Sequence, residues 1–216
     1  MNASPLRAPL DQFPAAEPVR SVEDGRTNAG SAANDRIAQL ERELRDAHRR
    51  LAEMTRLAYV DSLSGLGNRR AFDDEMLRTV DRARRYQMPA VVALFDIDRF
   101  KEVNDLYGHD AGDAMIVAIG QCLRSQIRAS DFVARIGGDE FAVILSNIAF
   151  EDACQRVELL SEAVCAIEYK LGGEMLQISV SVGTSAVEAD PSHQPLRAAD
   201  QAMYRRKRAA RTIYNI

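Results

Sequence analysis

Cysteine is scarce in this sequence, and the copies present do not form a recognisable metal site. The chain has three cysteines, Cys122, Cys154 and Cys165, an odd number without the spacing of zinc ligands. Neither a complete disulfide framework nor a structural zinc site is therefore expected. Cys154 and Cys165 fall on the apolar faces of predicted helices, so we expect reduced core thiols in a cytoplasmic protein.

Long apolar runs and an excess of basic residues are also missing. No segment approaches the apolar length of a membrane span, and the first residues lack the apolar centre of a signal peptide. The net charge of −4 argues against a general nucleic-acid-binding protein, which usually carries a basic excess. We therefore expect a cytoplasmic protein that has no membrane span and no nucleic-acid partner.

The composition that remains predicts one folded domain with an appendage. Hydrophobic residues make up 46% of the 216-residue chain, an ordinary content for a protein with a buried core. Residues 1–33 are rich in Pro, Ala, Ser, Asn and Gly and show no apolar period, which predicts a disordered tail. The folded domain is predicted for residues 59–216.

An amphipathic helix is predicted between the tail and the domain, at residues 34–58. Its apolar residues recur in alternating steps of three and four, like the a and d positions of a coiled coil; they are Ile37, Leu40, Leu44, Ala47, Leu51, Met54 and Ala58. The seam is narrow and its surroundings are polar, which favours a two-stranded coiled coil over a helix packed on its own domain. The alanine at one d position weakens the seam, and about three heptads are marginal alone, so the domain should contribute to dimerisation.

The domain reads as mixed strands and helices. A continuous apolar run at 90–97 predicts a strand buried on both faces, and two short strands around a Gly-Gly-Asp-Glu turn predict a hairpin. In chain order the prediction is a helix at 69–85, a strand at 90–97, helices at 98–106 and 111–128, strands at 132–136 and 141–145, a helix at 150–168, a strand at 176–182, a helix at 196–208 and a last short strand. This order gives an α+β fold, in which a mainly antiparallel central sheet is flanked by helices and preceded by the coiled-coil helix.

Acidic residues lie where a strand end and a hairpin tip can meet. Asp96 and Asp98 end the apolar strand, and Asp139 and Glu140 occupy the hairpin turn. Three or four carboxylates in one cleft repel each other unless a cation neutralises them, and hard oxygen ligands select Mg²⁺ or Mn²⁺. For Asp98 the preferred interpretation is a helix N-cap, whereas Asp96 has no such structural reason to be there.

Phosphate-binding residues are predicted beside these acids. The turn from Ile97 to Lys101 opens a helix, where free backbone N–H groups favour phosphate, and Lys101 adds a positive charge. Near the C-terminus, Lys207 and Arg211 lie one helical turn apart within a basic run, where they could grip a triphosphate. The alternative for this run is a solvated helix end that offsets the helix dipole.

Several ordered motifs resemble the GGDEF family of diguanylate cyclases. Residues 137–141 spell Gly-Gly-Asp-Glu-Phe, residues 61–70 resemble the motif that opens the family's domain, and residues 95–105 match a third motif, which continues through Gly108-His109 to Gly112-Asp113. Five letters alone are weak, but several motifs in order are specific. The resemblance covers Asp61 to the C-terminus and implies the palm-like fold of nucleotidyl cyclases.

The resemblance also implies roles for individual residues. Asp96 and the Ile97 carbonyl correspond to metal ligands, Asp139 to a metal ligand and proton acceptor, and Glu140 to the further metal-binding and catalytic acid. Asn104 and Asp113 correspond to the residues that read the guanine edge. The remaining substrate-binding positions are Phe100, Lys101, His109, Gly137, Gly138, Lys207 and Arg211. The family usually has Gly before that arginine and Asn after it, whereas this chain has Ala210 and Thr212.

The implied reaction joins two GTP molecules into cyclic di-GMP in a homodimer. Arg128 and Asp131 lie at the spacing of the family's product-inhibition site, so cyclic di-GMP is expected as both product and inhibitor; the alternative is an ordinary Arg–Asp pair at a helix end. Two other functions stay open from the sequence, a catalytically inactive nucleotide-binding protein and an interaction scaffold. Intact acids at 96, 139 and 140 argue against the inactive protein.

Overall fold

The computed structural model describes residues 24–171, 174–188, 190 and 194–213, and the side chains of 34–170, 175–188, 190 and 194–208. The chain divides into two units between Leu51 and Ala52. Within the described ranges, no helix is both long and apolar enough to cross a membrane.

The N-terminal helix α1 spans Asp24–Tyr59. Its seam residues Ile37, Leu40 and Leu44 are about half exposed, at 54%, 48% and 56%. The helix begins ten residues before the predicted start at residue 34, because the prediction required an apolar period, whereas a polar segment rich in alanine can extend a helix without one. Residues 1–23 of the predicted tail lie outside the described ranges.

The described part of the second unit contains five further helices and six strands. The helices are α2 (Arg69–Tyr86), α3 (Phe100–Tyr107), α4 (His109–Gln126), α5 (Phe150–Cys165) and α6 (Pro195–Ile213). The strands are β1 (Ala90–Ile97), β2 (Phe132–Arg135), β3 (Glu140–Ser146), β4 (Glu168–Leu171), β5 (Glu174–Gln177) and β6 (Val180–Val187). Four of them form an antiparallel sheet in the order β2-β3-β1-β6, and β4 pairs with β5 in a separate hairpin. The α+β prediction is confirmed.

The central strand β1 is buried on both faces, as its continuous apolar sequence predicts. Phe95 and Ile97 face a core formed with α4 and α5, and Val92 and Leu94 face a second core formed with α2 and α6. Burying each of these side chains contributes about 1.5–3 kcal/mol. The carboxyl end of β1 is therefore held firmly from both sides, which fixes the position of Asp96.

Helix α6 packs directly on strand β6. A Cβ atom on Gly183 would lie 2.1 Å from the Ala199 carbonyl oxygen and 2.4 Å from the Met203 nitrogen, so only glycine permits this approach. Met203 is buried in the second core. Because Lys207 follows Met203 by one helical turn, this packing also sets the position of Lys207.

Three predicted elements differ from the structure. The strand predicted at 176–182 is two strands, since Asp98 N–H donates to the Ser179 carbonyl and the chain leaves β5 to pair with the end of β1. The end of the helix predicted at 150–168 includes Glu168, which belongs to β4. The last strand predicted after Arg208 is also wrong through Ile213, where α6 continues; residues 214–216 lie outside the described ranges.

The three cysteines are free thiols, as the sequence predicts. Cys122, Cys154 and Cys165 are each half-buried, so the expectation of core thiols overstates their burial. They lie at the margins of the core, where Cys122 packs against the first core and Cys154 Sγ lies 3.8 Å from Thr184 Oγ1.

Candidate functional site

Strand register brings the acids of two motifs to one end of the sheet. Asp96 on β1 lies opposite Glu140 on β3, and the Ile97 N–H donates to the Asp139 carbonyl over 3.1 Å. All three acidic side chains are half-buried. The predicted meeting of the strand end and the hairpin turn is therefore observed for Asp96, Asp139 and Glu140.

A lysine from the C-terminal helix contacts the first of these acids. Lys207 Nζ lies 2.5 Å from Asp96 Oδ1. Burial raises the pKa of Asp96 above its usual value; the Lys207 charge opposes this shift, and the charges of Asp139 and Asp98 add to it. A nearby positive charge therefore favours the ionised form of this carboxylate.

Glu140 is subject to the same electrostatic repulsion. Burial raises its pKa, and so do the negative charges of Asp96, Asp139 and Asp200, while Arg69 lowers it. Excess negative charge at this end of the sheet favours the binding of a cation.

Asp98 does not have the predicted role. Arg99, with φ of 58°, is the N-cap residue of α3, and no side chain caps the helix there. The Asp98 carboxylate instead accepts hydrogen bonds from Ser179 Oγ at 3.0 Å and Ser181 Oγ at 2.5 Å. Its N-cap assignment is wrong because two serines from the β5–β6 segment compete successfully for the carboxylate.

The paired acids fit a divalent ion that is bound together with a nucleotide, but they do not form a complete protein cage. Within the residues described, no group of three or more His, Cys, Asp or Glu side chains is close enough to hold a metal. Mg²⁺ sites in phosphate-transfer enzymes commonly use one or two carboxylates plus substrate phosphates, and Asp96 with Asp139 meets that requirement.

The hairpin turn is held by an arginine that sequence reasoning missed. Arg135 donates from Nη2 and Nε to the Gly138 carbonyl at 2.8 and 3.2 Å, and its Nη1 lies 3.3 Å from Asp61 Oδ1. A Cβ on Gly137 would lie 2.3 Å from Glu140 Oε2, so this glycine leaves room for the glutamate to fold over the turn. The signal available in the sequence is that Arg135 lies two residues before one motif and Asp61 opens another.

Asn104 on α3 lies against α4 at a close helix contact. A Cβ on Gly112 would lie 1.9 Å from Asn104 Oδ1, so Gly112 permits the contact. Among the described residues, that buried oxygen has no hydrogen-bond partner, which is unusual for a buried polar atom. Asp113 and His109 are exposed on α4.

The other predicted phosphate contacts lie at the start of α3 and on α6. Phe100 is half-buried at the first position of α3 and packs against the core, and Lys101 follows it, exposed. Lys207 points to the acids, as described above. The side chain of Arg211 lies outside the part of the structure that is described.

A separate cavity contains the predicted product-inhibition residues. It has a volume of about 580 Å³, and Arg128 and Asp131 line it together with Glu75 and Arg82 of α2. Asp131 accepts from the Arg128 backbone N–H at 3.1 Å and lies 3.4 Å from the Arg156 guanidinium. Asp131 is thus held by the Arg128 backbone N–H and the Arg156 guanidinium, which does not support the alternative of an ordinary Arg128–Asp131 side-chain pair. Sequence reasoning missed Arg82, since no local pattern connects it to residue 128.

Comparison with known proteins identifies the relatives of this chain. The family model described as the GGDEF domain of diguanylate cyclases matches residues 58–212. The chain is 37% identical over 181 residues to the diguanylate cyclase DgcP of Pseudomonas aeruginosa, covering 83% of this chain and 27% of DgcP. It is 36% identical to the diguanylate cyclase TpbB of the same species, covering 84% of this chain and 42% of TpbB. The chain thus spans less than half the length of these relatives.

A solved structure covers both the domain and the preceding helix. It is the coiled coil and GGDEF domain of DgcB from Caulobacter crescentus in complex with c-di-GMP, with a TM-score of 0.76 and 30% sequence identity. The match covers 82% of this chain and 95% of that one. Together with the ordered motifs and the acids at the sheet end, these matches establish that the chain belongs to the GGDEF domain family of diguanylate cyclases.

Proposed function

We propose that the chain is a cytoplasmic diguanylate cyclase, which condenses two GTP molecules into cyclic di-GMP and releases two pyrophosphates. Each copy of the domain holds one GTP, and the reaction takes place between the two copies of a homodimer. The observation that carries this proposal is the register of β1 against β3, which pairs Asp96 with Glu140 and ties Ile97 to Asp139. An inactive binding protein would have no need for this concentration of acids.

The metal of the proposed reaction is Mg²⁺, with Mn²⁺ as an alternative, held by Asp96, the Ile97 carbonyl, Asp139 and Glu140. When bound, the ion helps to lower the pKa of the attacking hydroxyl and neutralises charge on the phosphates. Asp139 also accepts the proton of the 3′-hydroxyl. Support comes from the raised pKa values of Asp96 and Glu140, since burial and like charges favour a cation at these carboxylates.

Lysine and arginine side chains bind the triphosphate in this proposal. They are Lys101, Lys207 and Arg211, assisted by backbone N–H groups at Phe100 and around Gly137 and Gly138. The contact between Lys207 and Asp96 supports the assignment of this lysine, because an ammonium that reaches the metal-binding carboxylate can also reach a phosphate on the same ion.

Guanine recognition is assigned to Asn104 and Asp113, with His109 nearby in the sequence. A carboxylate can accept from both N1–H and N2–H of guanine, and adenine offers neither donor at those positions. Rejection of adenine follows, since the acceptors would be left without partners. The buried Asn104 Oδ1, which has no hydrogen-bond partner among the residues that the structure describes, supports a donor-bearing ligand at this position.

Dimerisation forms part of the proposed mechanism. The 3′-hydroxyl of one GTP attacks the α-phosphate of the other, and neither copy alone contains both reacting groups. The seam of α1 supplies a high effective concentration of the second copy. Exposure of Leu51 and Met54, at 62% and 67%, supports a helix face that is covered by a partner helix.

Feedback by cyclic di-GMP is proposed at the cavity of Arg128 and Asp131. The guanidinium group of arginine can donate paired hydrogen bonds to phosphate oxygens or to the acceptors of guanine. Two arginines, Arg82 and Arg128, line the cavity. Its volume of about 580 Å³ lies in the usual range of ligand sites.

One assay separates this function from its rivals. The full chain is incubated with GTP and Mg²⁺, and pyrophosphate and cyclic di-GMP are measured together, with ATP and a chelator as controls. A cyclase forms two pyrophosphates per cyclic di-GMP, only with GTP and metal. Nucleotide binding without pyrophosphate release would identify an inactive binding protein. Absence of both nucleotide binding and turnover would favour an interaction scaffold.

A further inference from the structure

The turn between β2 and β3 is held by a relay of side chains that none of the assigned roles includes. At its centre is Arg135, with a side chain that is 16% exposed. One edge of the guanidinium, through Nε and Nη2, donates to the Gly138 carbonyl. The remaining nitrogen, Nη1, lies 3.3 and 3.4 Å from the two oxygens of Asp61.

Asp61 is itself fixed from the opposite side. Its Oδ1 accepts from Ser64 N–H at 2.8 Å and from Ser64 Oγ at 2.7 Å. The segment that contains these residues is joined to β2 by two backbone bonds, from Gly67 N–H to the Val133 carbonyl and from Arg135 N–H to the Gly67 carbonyl. Arg135 is therefore bonded to this segment by its backbone as well as by its side chain.

The same segment is bonded to the end of α1. Asn68 Nδ2 donates to the Ala58 carbonyl at 3.0 Å, and its Oδ1 caps α2 by accepting from Ala71 N–H at 3.0 Å. Asp61 lies two residues after the last residue of α1, Tyr59. The outer end of the relay is thus anchored to two helices, so it can resist displacement of the turn.

The inner end of the relay lies next to the proposed metal ligand. Gly138 precedes Asp139, and the Asp139 carbonyl accepts from Ile97 N–H. A glycine pair gives the turn little stiffness of its own, so the backbone that presents Asp139 depends on external hydrogen bonds. Bonds from a charged donor are about twice as strong as neutral ones.

We propose that Arg135, held by Asp61, is a positioning residue that fixes the Gly138 carbonyl and thereby the backbone presenting Asp139. The inference rests on the proposed cyclase activity only for its catalytic consequence. Its structural part, the restraint of the turn, concerns this chain alone. Arg135 acts through Asp139 and touches no substrate.

Two variants and a matched control test this role in the full chain. Arg135→Gln removes the charged fork, and Asp61→Asn weakens its anchor. Asp81→Asn is the control, because this substitution also removes an aspartate carboxylate from an ion pair. Asp81 pairs with Arg85 at 3.6 Å on the exposed face of α2. Arg135→Lys keeps the charge without the fork, and replaces Arg135→Gln if that variant does not fold.

Two readouts are measured for each protein. In Arg135→Gln, kcat should fall about 10- to 100-fold with KM for GTP unchanged, the range for loss of a residue that orients a metal ligand. The kcat of Asp61→Asn should fall less, and the kcat of Asp81→Asn should equal that of the wild type. Hydrogen exchange followed by NMR should show faster exchange of the Ile97 amide, which reports its bond to Asp139, while other amides of β1 stay protected.

The outcomes separate this inference from the proposed function. Unchanged kcat and unchanged Ile97 exchange in Arg135→Gln would overturn the inference, and so would faster exchange spread evenly over β1, which indicates general loss of stability. If the wild-type chain makes no cyclic di-GMP, the proposed function fails, and the exchange of Ile97 then decides the inference alone.

Discussion

Lys207 on α6 and Asp96 on β1 form a close ion pair, with Nζ at 2.5 Å from Oδ1. The pair joins a residue assigned to phosphate binding with one assigned to metal binding. The same carboxylate oxygen cannot bond fully to the ammonium and to a divalent ion at once, so Lys207 would compete with the proposed metal for Asp96 Oδ1. Binding of a metal with its nucleotide would release the lysine to the phosphates.

Replacing this lysine should therefore have opposite effects on nucleotide and on metal. In Lys207→Met, KM for GTP should rise about 10- to 100-fold, as expected for a lost charged hydrogen bond of about 1.5–3 kcal/mol. Binding of Mn²⁺ alone, followed by electron paramagnetic resonance, should become tighter. Lys170→Met, on the exposed surface of β4, is the control. Weaker Mn²⁺ binding in Lys207→Met would contradict the competition.

Asp139 should be essential for synthesis and dispensable for folding. Its hydrogen bond to Ile97 uses the backbone carbonyl, which Asp139→Ala keeps, so the melting temperature should stay close to that of the wild type. Cyclic di-GMP formation with Mg²⁺ and GTP should fall to background, because the variant lacks the carboxylate proposed as metal ligand and proton acceptor. Near-normal turnover of this variant would show that the assignment of Asp139 is wrong.

The strong local patterns are sufficient for β1, for the β2–β3 hairpin and for three of the acids. A continuous apolar run predicts β1 with its correct bounds, and the glycine turn predicts the hairpin, so the proximity of Asp96 to residues 139 and 140 follows from sequence alone. These elements are predictable because their burial requires a local pattern of apolar and turn residues that consecutive positions show. The start of α1 is not predictable in this way, because a polar helical segment carries no apolar period.

Long-range contacts account for the parts of the site that the sequence did not predict. Asp98 has the local context of a helix cap, yet it bonds to Ser179 and Ser181, which lie 81 and 83 residues away. The contact between Arg135 and Asp61 spans 74 residues. Each pair depends on tertiary placement, which propensity and spacing do not encode.

Replacing Arg128 should relieve product inhibition and leave the initial rate unchanged. Arg128→Ala leaves the acids at 96, 139 and 140 unchanged, so initial rates should equal those of the wild type. Accumulation of cyclic di-GMP should continue at late times, when the wild type slows. Arg82→Ala should act in the same direction, because Arg82 lines the same cavity. Superimposable accumulation curves for all three proteins would exclude this cavity as the inhibitory site.

Part of the stability should depend on pH through Asp61. Burial raises the pKa of this carboxyl, but hydrogen bonds from Ser64 and the charge of Arg135 outweigh burial, so the pKa lies below its usual value. A carboxyl of this kind stabilises the fold above its unfolded pKa of about 4, and the contribution is lost as pH falls through the folded pKa.

Denaturation of Asp61→Asn at several pH values measures this contribution. Its free energy of unfolding should lie below that of the wild type at neutral pH, and the difference should close as pH falls below about 4. Asp81→Asn should show little difference at any pH, since exposed ion pairs contribute about 0–1 kcal/mol. A difference that is the same at every pH would assign the effect to packing.

The seam of α1 should control how activity depends on enzyme concentration. Leu44→Glu with Leu51→Glu places charges on the seam, whereas Ala38→Glu with Ala52→Glu places the same charges outside it. If the seam joins two copies, specific activity of the seam variant should rise with enzyme concentration, because encounter becomes bimolecular. The wild type and the control should be nearly flat over the same dilution series, and sedimentation should show dimers for both. A helix packed on its own domain predicts a different result: the seam variant would lose stability at every concentration, and its specific activity would not change on dilution.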